Sequence, residues 1–362
     1  MKKILFYLSS LGRGGAERVV VNLSRHFIEQ QYSVTIVTEK RQEQEYEVLE
    51  GVVRISLADE AVETKSRIKR ITGTVTGLRK VFQREAPDLI ISFMGKANLK
   101  AIVASTFLNI PVVVSVRADP REEYKGWKNR TLAFTLFRFA KGVIFQTEMA
   151  RDYFPKAIRE KSVILLNPIN ADFIRESFAG PRQHVIVTAG RLDANKNHRM
   201  LIDAFCMIKQ EYPELCVKIY GDGEDKAVLA QYIREKQVED KVILEGQVSN
   251  ILDKIYQAEV FVLCSDTEGM PNALLEAMAA GVPVISTDCP CGAPAMFIKH
   301  RENGMLVPVN DAKALAEALG EVLGNPRLAK QMGQQATHIA RRLAPEVVYQ
   351  SWREYVWQVE KR

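Results

Sequence analysis

The chain has 362 residues, 47% hydrophobic and 26% charged, enough for two globular domains and too apolar for a disordered chain. Its five cysteines are odd in number, fall in the second half and form no paired CxxC ligand sets, which argues against a zinc module and for a reducing compartment. The net charge of +6 conceals an asymmetry: residues 1–180 hold 29 Lys/Arg against 20 Asp/Glu, the remainder 21 against 24, so the first half presents a basic surface suited to an anionic partner, nucleic acid or acidic membrane.

The opening MKKILFYLSS has a short apolar run and no small-residue cleavage site, so it reads as a first strand rather than a signal peptide. No apolar run approaches the roughly 18 residues of a membrane span, which predicts a soluble or peripheral, cytoplasmic protein. Strand-like runs at Ile4–Leu8, Val34–Thr38, Leu89–Phe93, Pro111–Val116 and Gly142–Gln146 alternate with helical patterns, the signature of a doubly wound parallel sheet. The first strand leads into Gly12-Arg13-Gly14-Gly15-Ala16-Glu17 and an amphipathic helix, where glycines let backbone approach an oxyanion at a helix N-terminus. Glu17 stands at the third glycine position of a GxGxxG pattern, and Glu39 ends the second strand as a ribose-binding acid would, so an NAD-dependent enzyme stays open.

Lys65 to Arg84 carries seven basic residues and the apolar series Ile68, Ile71, Val75, Leu78 and Phe82 at helical spacing. Two readings of this helix coexist: its stripe faces the domain core, or it rests on an anionic membrane. Without interleaved base-stacking aromatics it does not read as a nucleic-acid surface. The linker is placed in Asn170–Gln183, which gives domains at 1–175 and 176–345 and a closing helical segment at 346–362, whose Trp352, Tyr355 and Trp357 are expected to pack against the domains.

A second alternating series runs through His184–Thr188, a helix from about Asn197, Cys216–Tyr220, Val242–Leu244, Val260–Leu263 and Val282–Ile285. The fold class is therefore α/β, two facing Rossmann-like domains with the ligand in the cleft between them. Arg191 and Lys196 follow a strand end on the rim where that ligand lies, and their charges suit a diphosphate. Gly221-Asp222-Gly223 forms another loop on the same rim. Cys289-Pro290-Cys291 has no histidine beside it, and no metal is assigned.

In SDTEGMPNALLEAMAAGVPVIS, residues 265–286, a helix is expected to begin near Pro271 and stop at Gly281. Glu268 precedes it and Glu276 lies within it, with the amides of Gly269, Met270, Pro271 and Asn272 between them, apart from proline's missing N–H. Helix N-terminal amides favour a phosphate and carboxylates accept from hydroxyls, so a nucleotide sugar suits both. The alternative is that Glu268 only supports the helix N-terminus and Glu276 is a solvated position.

With Gly14-Gly15, Arg191, Lys196 and the Glu268 to Glu276 pair in this order, the chain resembles the retaining family 4 glycosyltransferases of GT-B fold over nearly its whole length. The resemblance implies that Glu268 contacts donor-sugar hydroxyls, Gly269 to Asn272 the sugar and diphosphate, Glu276 the ribose, and Arg191 and Lys196 the diphosphate. Gly14 and Gly15 would approach from the facing domain. No cofactor or metal is implied; the partners are a nucleotide sugar, UDP by family habit, and a saccharide or lipid-linked acceptor. The chain departs from the family twice: Val116-Arg117-Ala118-Asp119 stands where many members place a histidine, which makes Arg117 and Asp119 acceptor-side or sugar-side candidates or an inter-domain ion pair, and Ala295-Met296 replaces an acidic residue. These departures keep a glycosyltransferase-like partner subunit as an alternative to an active enzyme.

Overall fold

The computed structural model describes residues 1–12, 14–60, 67–176, 178 and 180–361. Arg13 and Lys65 of the segments singled out above lie outside them. The chain divides into two units, Met1–Asn167 with Val348–Arg362, and Pro168–Val347.

The first unit is built on seven parallel strands: β1 (Lys3–Leu8), β2 (Ser33–Thr38), β3 (Val52–Ser56), β4 (Leu89–Phe93), β5 (Val112–Ser115), β6 (Gly142–Phe145) and β7 (Ser162–Ile164). Their order, β3-β2-β1-β4-β5-β6-β7, reverses direction between β1 and β4, the topology of a doubly wound sheet. β1 and β4 are buried nearly throughout because helices cover both faces, so their sequences read as continuous apolar runs rather than alternations. The final helix, Pro345–Lys361, completes this core with Val348, Trp352, Val356 and Val359. The Trp352 ring stacks on Phe93 at 6.0 Å, whereas Trp357 is half exposed.

The second unit has six parallel strands: β8 (Gln183–Ala189), β9 (Cys216–Tyr220), β10 (Val242–Gly246), β11 (Ala258–Leu263), β12 (Val284–Thr287) and β13 (Met305–Val307). The order β10-β9-β8-β11-β12-β13 repeats the same reversal, here between β8 and β11. The expected central strands are present in both sheets. The three that sequence periodicity did not single out, β3, β7 and β13, are all sheet edges.

Candidate functional site

In an open parallel sheet a ligand binds beyond the carboxyl ends of the strands, where the strand order reverses. In the second unit that point lies between the loop after β8, Gly190–Asn197, and the loop after β11, Cys264–Pro271. The two loops are stitched by asparagines. Asn195 donates from Nδ2 to the Thr267 carbonyl at 3.0 Å, and its Oδ1 accepts from the Thr267 amide at 3.1 Å and hydroxyl at 2.8 Å. Asn197, left-handed at φ 45°, caps the His198–Ile208 helix through the Met200 amide and donates to Asp266 at 2.9 Å. Sequence reading missed these stitching residues; their only signal was turn-forming Asn and Asp beside charged positions.

The stitching brings two of the expected donor-site residues together. Lys196 Nζ lies 2.5 Å from Glu268 Oε1, and that oxygen also accepts from the Ser265 hydroxyl at 2.6 Å. Both side chains are mostly shielded, at 17% and 11% exposure. Gly190 leaves room for the lysine stem: a Cβ there would stand 3.2 Å from Lys196 Cε. Arg191 lies outside this pair, its side chain 77% exposed and its Nε 3.4 Å from Asp193.

The following helix spans Asn272–Ala279, with Pro271 as a cap residue that offers no side-chain hydrogen bond. Gly269, Met270 and Pro271 are buried, Asn272 partly so. The helix stops at Gly281 as expected: at φ 70° its amide bonds to the Met278 carbonyl and the Val282 amide to that of Ala277, a left-handed stop that glycine adopts without strain. Glu276 is not the solvated position of the alternative reading. It is 5% exposed within the fully buried run Leu274–Ala280, and a carboxylate is costly there unless partnered. Met296 is half-buried on the short helix Ala293–Phe297.

Burial disfavours the charged form of two further groups of this region: the His198 imidazole is pushed down to about 4 and the Cys289 thiol up to about 12. Among the described residues no group of three His, Cys, Asp or Glu side chains is arranged to hold a metal ion.

In the first unit, Gly14 precedes the Gly15–Glu29 helix and Gly15 opens it, exposed. Glu39, the acid an NAD site would need for a ribose, instead accepts from the Tyr7 hydroxyl at 2.9 Å and pairs with Lys100 at 2.5 Å. Arg117 and Asp119 follow β5, and both are buried. Arg117 donates to Asn167 at 2.8 Å and lies over the Phe93 and Trp352 rings at 4.7 and 5.1 Å, the geometry of an internal strut tying β5 to the final helix. Desolvation lowers its guanidinium to about 9. Asp119 caps its own short helix, Pro120–Glu123, through the Arg121 amide. These contacts all lie within one unit.

Glu123, at the end of that short helix, accepts from the Gly95 amide, and burial pushes its carboxyl up to about 7. A folded value above the ordinary 4.5 means that the fold holds the proton more tightly, so the penalty of ionisation grows as pH rises through this interval and is complete above it. Glu123→Gln keeps an oxygen for Gly95; it is expected to stabilise by only about 1 kcal/mol at pH ~5 and by about 3 kcal/mol at pH ~8. Urea unfolding at the two pH values checks this, and a pH-independent difference refutes it.

The basic stretch forms the helix Arg67–Glu85, and its stripe divides. Leu78, Val81 and Phe82 are core, whereas Lys69, Arg70 and Ile71 are exposed. Arg79 caps the neighbouring Gly95–Ser105 helix by donating to the Ala104 and Thr106 carbonyls. Among the described residues no helix is long and apolar enough to cross a membrane.

Two family models match the chain: residues 170–339 match glycosyl transferases group 1 and residues 13–173 match glycosyltransferase family 4. The GalNAc-alpha-(1->4)-GalNAc-alpha-(1->3)-diNAcBac-PP-undecaprenol alpha-1,4-N-acetyl-D-galactosaminyltransferase of Campylobacter jejuni is 27% identical, over 99% of both chains. The amylovoran biosynthesis glycosyltransferase AmsD of Erwinia amylovora is 23% identical, over 98% of this chain and 99% of its own. Among solved structures, Anabaena HepE in complex with UDP-glucose superposes with a TM-score of 0.83 at 20% identity, covering 99% of this chain and 100% of that one. Matched through both halves and built on two Rossmann-like parallel sheets, the chain belongs to the glycosyltransferases of GT-B fold.

Proposed function

We propose that the protein transfers a hexose or N-acetylhexosamine from a UDP-sugar, with retained anomeric configuration, to a saccharide or lipid-linked saccharide in surface polysaccharide or glycolipid assembly, at the cytoplasmic face of a membrane. The observation that carries this reading is the Lys196–Glu268 pair at the strand-order reversal, beside a helix N-terminus and on the same segment as the buried Glu276. The UDP-glucose complex of HepE and the undecaprenol-linked saccharide in the name of the Campylobacter relative support donor and acceptor class.

On this reading the bond from anomeric carbon to phosphate oxygen breaks as the acceptor oxygen bonds to the same face of that carbon. The acceptor's proton passes to the departing phosphate. Lys196, and Arg191 once it swings from Asp193, meet the charge growing on that phosphate, so no metal is required. Glu268 orients the sugar through its hydroxyls, Gly269 to Asn272 hold the sugar and diphosphate, Glu276 holds the ribose, and Gly14 and Gly15 line the donor.

Calorimetric titration with UDP, GDP, ADP and NAD tests it. UDP is expected to bind selectively, unchanged by EDTA, and Glu276→Ala to weaken it at least tenfold, the order of one charge-assisted hydrogen bond pair. Binding of NAD alone, indifferent to Glu276, overturns the proposal. A second reading, a partner subunit without turnover of its own, is favoured by the inward-facing Arg117 in place of a histidine. Donor binding without transfer, restored by another chain, identifies it.

A further inference from the structure

The helix Trp127–Leu136 buries a single residue, Ala133. A ten-residue helix in a globular unit normally buries an apolar stripe against its neighbours, so this one lies on its unit with most of its surface uncovered. That surface is not ordinary solvated polar surface. Trp127 is 69% exposed, Leu132 47% and, in the turn Phe137–Phe139 that follows, Phe139 75%. The Gly95–Ser105 helix packs beside both elements and adds Val103, 42% exposed, with Phe107 just beyond it at 92%. Phe107, Trp127 and Phe139 are among the most exposed large apolar side chains of the described residues, and all belong to the first unit.

Charge accompanies them. From Lys125 to Lys141 the sequence, KGWKNRTLAFTLFRFAK, holds five basic residues and no acidic one. Lys125, Lys128, Arg130, Arg138 and Lys141 are exposed, and Lys128 Nζ sits 5.5 Å from the Trp127 ring. Tryptophan and phenylalanine flanked by lysine and arginine match the interface of an anionic bilayer, where rings settle at headgroup depth and cations meet phosphates. A protein partner of acidic character would match the charge but would leave the helix-long spread of isolated rings without pockets.

We propose that Lys125–Lys141, with Phe107 beside it, is an in-plane membrane-docking surface that seats the first unit on anionic phospholipid. The surface rests on, and deepens, the reading of a lipid-linked acceptor: it holds the enzyme where such an acceptor is presented. It is a different stretch of the chain from the exposed start of the Arg67–Glu85 helix, whose Lys69 and Arg70 are the competing candidates.

Cosedimentation of the full chain with vesicles of phosphatidylcholine alone, and of equimolar phosphatidylcholine and phosphatidylglycerol, tests it. Binding is expected to the anionic vesicles only and to weaken with salt. Trp127→Glu with Phe139→Glu is expected to reduce the partition coefficient at least tenfold, and Lys128→Glu with Arg130→Glu to do the same, while Lys69→Glu with Arg70→Glu leaves most binding intact. All six positions are exposed, so folding is retained and UDP titration of each variant is expected to match the wild type. Equal binding by the Trp127 and Phe139 variant, or loss only in the Lys69 and Arg70 variant, overturns the proposal. So does a lipid-free dimer in sedimentation that the Trp127 and Phe139 variant dissolves, because the occupant is then a second copy. Vesicle binding that persists when no nucleoside diphosphate binds refutes the glycosyl-transfer reading while leaving this surface standing.

Discussion

Lys196→Ala is expected to lower kcat by roughly two to three orders of magnitude, the effect of removing one donor aimed at developing charge in a shielded site. The loss should fall on kcat more than on KM, because the charge on the leaving phosphate grows in the transition state and is only partly present in the bound donor. The same substitution has a structural cost. Glu268, 11% exposed, would keep only the Ser265 hydroxyl of its two close partners, and an underpartnered shielded carboxylate destabilises by about 1–3 kcal/mol. The two effects separate in a double variant: Lys196→Met with Glu268→Gln removes both charges and should recover most of the stability but none of the turnover. Single-turnover rates and urea midpoints on the three proteins measure this. An unchanged kcat in Lys196→Ala would remove the lysine from the chemistry and leave its pair with Glu268 a structural one.

The central strands were legible because the residues they bury on both faces make continuous apolar runs. Three of the four edges were not: β3 is half exposed, and β7 and β13 are three residues each, too short for a period. At the site, the Glu268 to Glu276 spacing and the Gly281 stop were readable from local chemistry. The burial of Glu276 was not, because a carboxylate in an apolar helix reads as its solvated side until the packing of both faces is known. Arg117 shows the converse. The resemblance marked it as an acceptor-side or sugar-side candidate, but the rings that enclose it come from Phe93 and from Trp352 of the final helix, a contact across most of the chain that no local pattern carries. The surface from Lys125 to Lys141 was missed because its alternation of basic and aromatic residues follows no helical period; only exposure reveals it.

The largest effect on stability is expected from a residue outside the proposed donor contacts. Gly221 follows β9 at φ 138°, a conformation that side chains rarely adopt, and a Cβ there would stand 1.8 Å from the Gly190 carbonyl oxygen. The obstacle is backbone, so no side chain can swing aside. The contact is also where the Lys196 loop is anchored: Gly190 donates to Tyr220 at 3.0 Å, Leu192 donates to Asp222 at 3.0 Å, and Gly221 donates to Gly246 at 2.8 Å. Gly221→Ala must therefore displace the root of the loop that holds Lys196 against Glu268. We expect a loss of about 3 kcal/mol or more, from strain at an unfavourable φ together with the backbone clash, and a parallel loss of UDP affinity. Gly320, inside the Ala312–Gly324 helix with nothing within 4 Å of its added Cβ, is the matched control. Gly320→Ala should stabilise by roughly 0.5–1 kcal/mol through helix propensity alone and leave nucleotide binding untouched. Equal unfolding midpoints for the two variants would mean that the β8 and β9 loops are not fixed by close backbone approach, and the position of Lys196 would then need another cause.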